Sequence, residues 1–135
     1  MTAWLDGEAV HRLVELRREL HAHAETGWTE FWTTARIAGI LDGLGYNVAV
    51  GRDILDLDTV MGRPSDEDLA PFRERALGQG ADQGWIGRMG GYTGALATMD
   101  TGRPGPVIAL RFDIDAVDVA EARDERHRPF REGFA

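Results

Sequence analysis

Two carboxylates one residue apart, Asp113 and Asp115, stand at the end of a mostly apolar run, Val107-Ile108-Ala109-Leu110-Arg111-Phe112. Residues two apart in a strand share a face, so both carboxylates can point at one site. At that separation they repel, which raises one pKa and favours sharing a cation or a proton. Asp115 and Asp113 are therefore candidate residues of a metal or acid–base site. The alternative is that they close the strand end by bonding backbone N–H groups or Arg111. Twenty residues follow Asp115, and the rest of such a site is not expected within so short a stretch.

The histidines are the next candidates. His21 and His23 fall near the end of an expected helix, and Glu25, four residues after His21, could meet it on a helical face. A metal site would need a third ligand and an open position. The favoured reading is that cationic imidazoles suit a helix C-terminus. His127 lies in Asp124-Glu125-Arg126-His127-Arg128-Pro129, which reads as an exposed charged loop. Trp4, Trp28, Trp32 and Trp85 read as core and interface rather than as an aromatic binding box. There is no nucleophile elbow, phosphate-binding glycine loop or His-Glu-x-x-His helix, and Gly87-x-x-Gly90-Gly91 is too loose to count.

The elements that must position these residues follow from periodicity. Residues 7–24 predict an amphipathic helix whose face carries Val10, Leu13, Val14, Leu16 and Leu20. A second helix is predicted over 30–44, with Thr29 as N-cap and Glu30 in the first turn. Its buried stripe would be Phe31, Ala35, Ala38, Ile40, Leu41 and Leu44, and Gly45 is placed for a left-handed C-cap. Residues 46–50 alternate as a short strand closed by Gly51. Residues 52–91 read as a glycine-rich excursion from the core. It holds a helix from Ser65, an N-cap with Asp68 three residues on, to about Leu77. Residues 93–99 predict a strand and 107–113 another, central to a sheet and antiparallel to it across a turn-rich connection. From 120 to 135 the chain is charged and without period.

Composition sets the limits. The 135 residues suit one domain, with 43% hydrophobic and 28% charged residues. The formal charge of −8 argues against a nucleic-acid partner. No apolar run reaches the ~20 residues of a membrane-spanning helix, and the N-terminus lacks signal-peptide character. A cytoplasmic location and no membrane partner are expected. There is no cysteine, hence no disulfide or thiolate metal site.

Taken together, the motifs resemble a known family. Leu16-Arg17-Arg18-Glu19-Leu20-His21-Ala22-His23-Ala24-Glu25-Thr26-Gly27-Trp28 resembles the Arg-Arg-x-Leu-His-x-x-Pro-Glu-x-Gly opening of the metal-dependent amidohydrolases that include aminoacylases, hippurate hydrolases and p-aminobenzoyl-glutamate hydrolases. Glu30-Phe31-Trp32-Thr33-Thr34-Ala35 resembles the Glu-x-x-Thr-Ala continuation, and Ala24 departs from the usual proline. Residues 109–116 resemble the family's Ala-Leu-Arg-Ala-Asp-Met-Asp-Ala strand end. Gly91-Tyr92-Thr93-Gly94 and Met61-Gly62-Arg63-Pro64-Ser65 resemble the p-aminobenzoyl-glutamate hydrolase branch. The likeness covers nearly the whole chain.

The resemblance implies an α/β fold: the N-terminal part, 1–135, of a catalytic domain that is a zinc-peptidase-like α/β sandwich. That part is incomplete in its mixed sheet, with two N-terminal helices, then three strands with a helical insertion. It implies metal-dependent hydrolysis of the amide in N-acyl or aminobenzoyl amino acids, using a divalent metal, Mn or Zn, in the full-length enzyme. The family's metal ligands sit in a His-x-Cys-Gly-His-Asp signature and later residues, none of which is in this chain, so no tight metal binding by this chain is expected. By the resemblance, Asp115 lies beside the metal ligands and steadies them, with Asp113 its neighbour, and His127 belongs to the approach to the cleft. A dimer, or a need for a complementing C-terminal part, is expected. Two other readings stand beside this one. The first is a haloacid-dehalogenase-type phosphotransferase, in which Asp113 would be the nucleophile and Asp115 the acid–base. The second is a non-catalytic module binding a partner through the glycine-rich excursion.

Overall fold

The computed structural model describes residues 6–135; residues 1–5, and Trp4 with them, lie outside the described residues. The chain divides into two compact units. One is Glu25–Val117 and the other joins the N-terminal stretch up to Ala24 with Asp118–Ala135.

The larger unit is organised by helix α2 (Phe31–Gly43), whose first turn is buried all round through Phe31, Trp32, Thr33, Thr34 and Ala35. Thr29 is not the N-cap as expected. Glu30 occupies that position without capping through its side chain, and Thr29 donates its hydroxyl to Thr26 O at 2.7 Å. The first-turn amides are satisfied from a distance by Glu25, described below. At the other end Gly45, at φ +87°, closes the helix in the left-handed conformation that a Cβ would disfavour. Ile40 and Leu41 are half-buried and Leu44 is exposed, so the predicted stripe is buried fully only at its N-terminal end.

Strand β1 (Asn47–Val50) pairs antiparallel with β2 (Ala95–Thr98), Asn47 opposite Thr98 and Val50 opposite Ala95. Gly51 then turns the chain at φ +56°. Its N–H donates to Gly94 O at 2.9 Å. A Cβ there would sit 2.3 Å from Met89 O and 2.4 Å from Tyr92 O, so only glycine fits.

Residues 52–91 are not an excursion. After two short 3-10 turns (Gly51–Ile54 and Leu57–Thr59), helices α3 (Asp66–Gly78) and α4 (Gln83–Arg88) pack on α2. Their Leu69, Ala76 and Ile86, with Met89, join Phe31, Ala38 and Val50 in the core. Of the glycines of this stretch, Gly62, Gly80, Gly90 and Gly91 take positive φ at turns, while Gly78, Gly84 and Gly87 lie within α3 and α4. Ser65 caps α3 as predicted: its Oγ accepts from Asp68 N–H at 3.1 Å and donates to Asp68 Oδ2 at 2.7 Å.

The third expected strand, 107–113, is absent among the described residues, where the sheet has two strands. β2 pairs with β1 instead. A strand exists only with a ladder partner, and the connection from 100 to 106 makes no tight hairpin. It holds Pro104 and Pro106, which lack an N–H.

The smaller unit is built on α1 (Gly7–Ala22), capped by Asp6, whose side chain accepts from Ala9 N–H at 2.7 Å. The amphipathic pattern is present but buries no residue of the helix; Val10, Leu13 and Val14 are exposed. The cover comes from the C-terminal segment, which ends in α5 (Arg128–Arg131). Phe134 is buried against the α1 residues Arg17, Arg18 and His21, and Arg18 meets Glu132 at 2.6 Å.

Candidate functional site

The site grows from the turn at 25–28. Glu25 is buried, and its two carboxylate oxygens accept from Trp32 N–H at 3.1 Å and Thr33 N–H at 2.8 Å, in the first turn of α2. A carboxylate at a helix N-terminus satisfies orphan donors and suits the positive end of the dipole. Arg75 of α3 stands 3.7 Å from the same carboxylate. Trp28 takes φ +69°, a conformation that costs a bulky residue energy and is held where the surroundings over-determine it.

The same turn holds the Asp115 segment. Ala116 N–H donates to Glu25 O at 2.7 Å, which fixes the residue after Asp115 against the turn. A Cβ built on Gly27 would lie 3.9 Å from Asp115 Oδ2. Glu30 completes the cluster. It is buried, and its carboxylate accepts from Thr93 Oγ1 at 2.7 Å. Burial raises its pKa above the ordinary glutamate value, the Thr93 bond opposes that, and the nearby charges of Asp115 and Glu25 add to the rise. Thr34 accepts from Gly94 N–H at 2.9 Å, tying the start of β2 to α2.

Three carboxylates, Glu25, Glu30 and Asp115, thus surround one strained turn. Asp113 is not among them. It pairs with Arg111 at 2.6 Å, both side chains largely exposed, which is the strand-end alternative for that residue. The expected His21–Glu25 pair does not form: His21 Nε2 lies 2.5 Å from Glu121 Oε1. His23 places Nδ1 2.9 Å from Glu19 O, at the end of α1, in keeping with the helix-end reading. His127 stands at the N-cap of α5 with Nε2 2.5 Å from Glu121 Oε2. Glu121 therefore bridges two imidazoles, chiefly the bond from His127 and then the charge of His21 holding its carboxyl below the ordinary range.

A metal does not fit the cluster at the turn. Among the described residues no group of three or more His, Asp or Glu is arranged to hold a metal ion. Glu25 is committed to backbone N–H groups and Glu30 to Thr93. A separate cavity of about 150 Å³ is lined by Phe31, Arg63, Asp66, Leu69, Arg73 and Gly91. Arg63 is not free for a ligand there: it bonds Asp66, Pro64 O and Gly91 O and lies 4.2 Å over the Tyr92 ring.

Sequence reasoning set Glu25 beside His21 and Glu30 in a helix first turn, and missed that both gather around Asp115. The available signal was their position, Glu25 before Gly27 in the first family-like motif and Glu30 at the start of its continuation.

Comparison with known proteins fixes the context. No protein-family model matches the chain. It is 49% identical to the indole-3-acetyl-aspartic acid hydrolase of Enterobacter agglomerans over 91% of its length, and 48% identical to a p-aminobenzoyl-glutamate hydrolase subunit of Escherichia coli K12 over 92%. A crystal structure of an aminobenzoyl-glutamate utilization protein from Klebsiella pneumoniae superposes with a TM-score of 0.78 at 50% identity, over 82% of this chain. The chain belongs to this hydrolase family. It spans 28% and 29% of the length of the two curated relatives and 28% of the crystallised chain. No helix among the described residues is long and apolar enough to cross a membrane.

Proposed function

We propose that this chain is part of an amidohydrolase that cleaves the amide joining an aromatic acyl group to an acidic amino acid. The observation that carries the reading is the 48–49% identity, over more than nine-tenths of the chain, to two hydrolases whose named substrates share that chemistry. In this reading the chain's own contribution is a carboxylate, Asp115, whose neighbour Ala116 is fixed by its backbone bond to Glu25, with the buried Glu30 nearby. A divalent metal, Mn or Zn, would supply polarisation of the scissile carbonyl in the complete enzyme. Its ligands would come from the larger part of the relatives' length that this chain does not span.

The test has two arms. The chain is mixed with manganese or zinc and p-aminobenzoyl-glutamate or an N-acyl amino acid, and no hydrolysis above the metal-only control is expected. Turnover by the chain itself would show that it holds a complete site. In the second arm the chain replaces the homologous stretch of the Escherichia coli p-aminobenzoyl-glutamate hydrolase, and the chimera is expected to release p-aminobenzoate. In that chimera Asp115→Asn should lower kcat by about 10- to 100-fold, the usual effect of losing a group that steadies metal ligands. A folded but inactive chimera would overturn the assignment.

A further inference from the structure

The stretches Met61-Gly62-Arg63-Pro64-Ser65 and Gly91-Tyr92-Thr93-Gly94 meet through one side chain. Arg63 forks onto Gly91 O, with Nε at 3.3 Å and Nη2 at 2.7 Å, across 28 residues of sequence. Its guanidinium lies 4.2 Å over the Tyr92 ring, and only 13% of the side chain is exposed. Nη1 donates to Pro64 O at 3.1 Å and Nη2 to Asp66, so the loop and the start of α3 hold the fork in place. Gly91 stands at φ +84°, where a Cβ would lie 3.1 Å from Arg63 Nη2. Two residues along, Thr93 donates its hydroxyl to the buried Glu30 at 2.7 Å. A displacement of that turn by about an ångström would carry the hydroxyl beyond hydrogen-bond reach.

We propose that Arg63 is a positioning residue for the carboxylates at the turn: its grip on Gly91 and Tyr92 sets Thr93 on Glu30. Its part in catalysis rests on the reading of Asp115 as the chain's contribution to amide hydrolysis. The groups that face Glu30 are Thr93, from the turn before β2, Asp115, and Glu25, itself 3.7 Å from Arg75 of α3. Burial and the two like charges favour a proton on Glu30, and the Thr93 hydroxyl opposes them. Whether Glu30 adds its own charge beside Asp115 thus turns on a bond that Arg63 controls from outside the cluster. Lysine does not replace arginine here. An ammonium is a point charge on a flexible stem, without the planar fork that holds a carbonyl and stacks on a ring at once.

Carbon-13 NMR of the glutamate carboxyls in the full chain tests this, with Glu30 assigned by the signal lost in Glu30→Gln. Thr93→Val should tighten proton binding at Glu30 by at least about tenfold, the worth of a hydrogen bond to a charged group. Arg63→Lys, which keeps the charge, should act in the same direction by about threefold or more, as for a bond partly lost. In the Thr93→Val background Arg63→Lys should have no effect. Tyr92→Leu, which removes the ring under the guanidinium and leaves Arg63 intact, should shift Glu30 the same way, and it decides the matter if circular dichroism shows Arg63→Lys unfolded. A merely structural Arg63 would lower the denaturant midpoint and leave the titration of Glu30 in place, which overturns the proposal. So does an Arg63→Lys effect that persists in Thr93→Val, because it then bypasses the hydroxyl. In the chimera with the Escherichia coli enzyme, Arg63→Lys should lower kcat by about threefold or more with KM unchanged, and an unchanged kcat overturns the catalytic part. A parent chimera without activity overturns the amidohydrolase reading instead, and the titration still decides whether Arg63 sets Thr93 on Glu30.

Discussion

At the level of single residues, the fold leans on a few positions where chemistry leaves no choice. Gly51 is one: φ is +56°, and a Cβ would lie 2.3 Å from Met89 O. Gly51→Ala is expected to destabilise the chain by about 3 kcal/mol, from strain and overpacking together, read as a lower denaturant midpoint. A loss below about 0.5 kcal/mol would show that the backbone there can relax. Glu30 gives a prediction in pH. Its folded pKa is raised, chiefly by burial. A group shifted in that direction favours folding when protonated; its contribution is whole below the unfolded value and is lost as pH rises through the folded one. Charged Glu30 therefore costs stability at neutral pH. Glu30→Gln keeps an acceptor for Thr93 and removes the charge, so its melting temperature should exceed that of the parent at pH 7. The gain should vanish below about pH 4, where unfolded carboxylates titrate. An offset constant from pH 3 to 8 would dissociate the residue from any pH dependence.

At the level of elements, packing separates two helices that periodicity makes look alike. α1 buries none of its residues, while α2 buries Phe31, Trp32, Thr33, Thr34, Ala35 and Ala38. Amide exchange follows local burial and contact density. The amides in the middle of α1 should thus exchange at least about tenfold faster than those of α2, and equal protection would contradict the burial pattern. The contrast also shows what the residues disclose. Local signals were legible: the Ser65–Asp68 cap, Gly45 after α2, and the alternation of 46–50. So was the possibility that Asp113 simply pairs with Arg111. What could not be read was anything that depends on residues far apart in sequence. The apolar stripe of α1 announces a face but not whether anything covers it. The pairing of β2 with β1 rather than with 107–113 is set by which ladder closes across about fifty residues. The cap of α2 escaped for a related reason: its acceptor is Glu25, seven and eight residues before the amides it satisfies, across a turn that only the strained Trp28 reveals.

At the level of the whole molecule, two facts pull in opposite directions. A net charge of −8 opposes unspecific association, whereas Val107, Ile108, Leu110, Phe112, Val117 and Val119 stand exposed along one stretch. Two strands alone are marginal in water, so the β1–β2 pair depends on α2 packed against it, and little reserve is expected in the isolated chain.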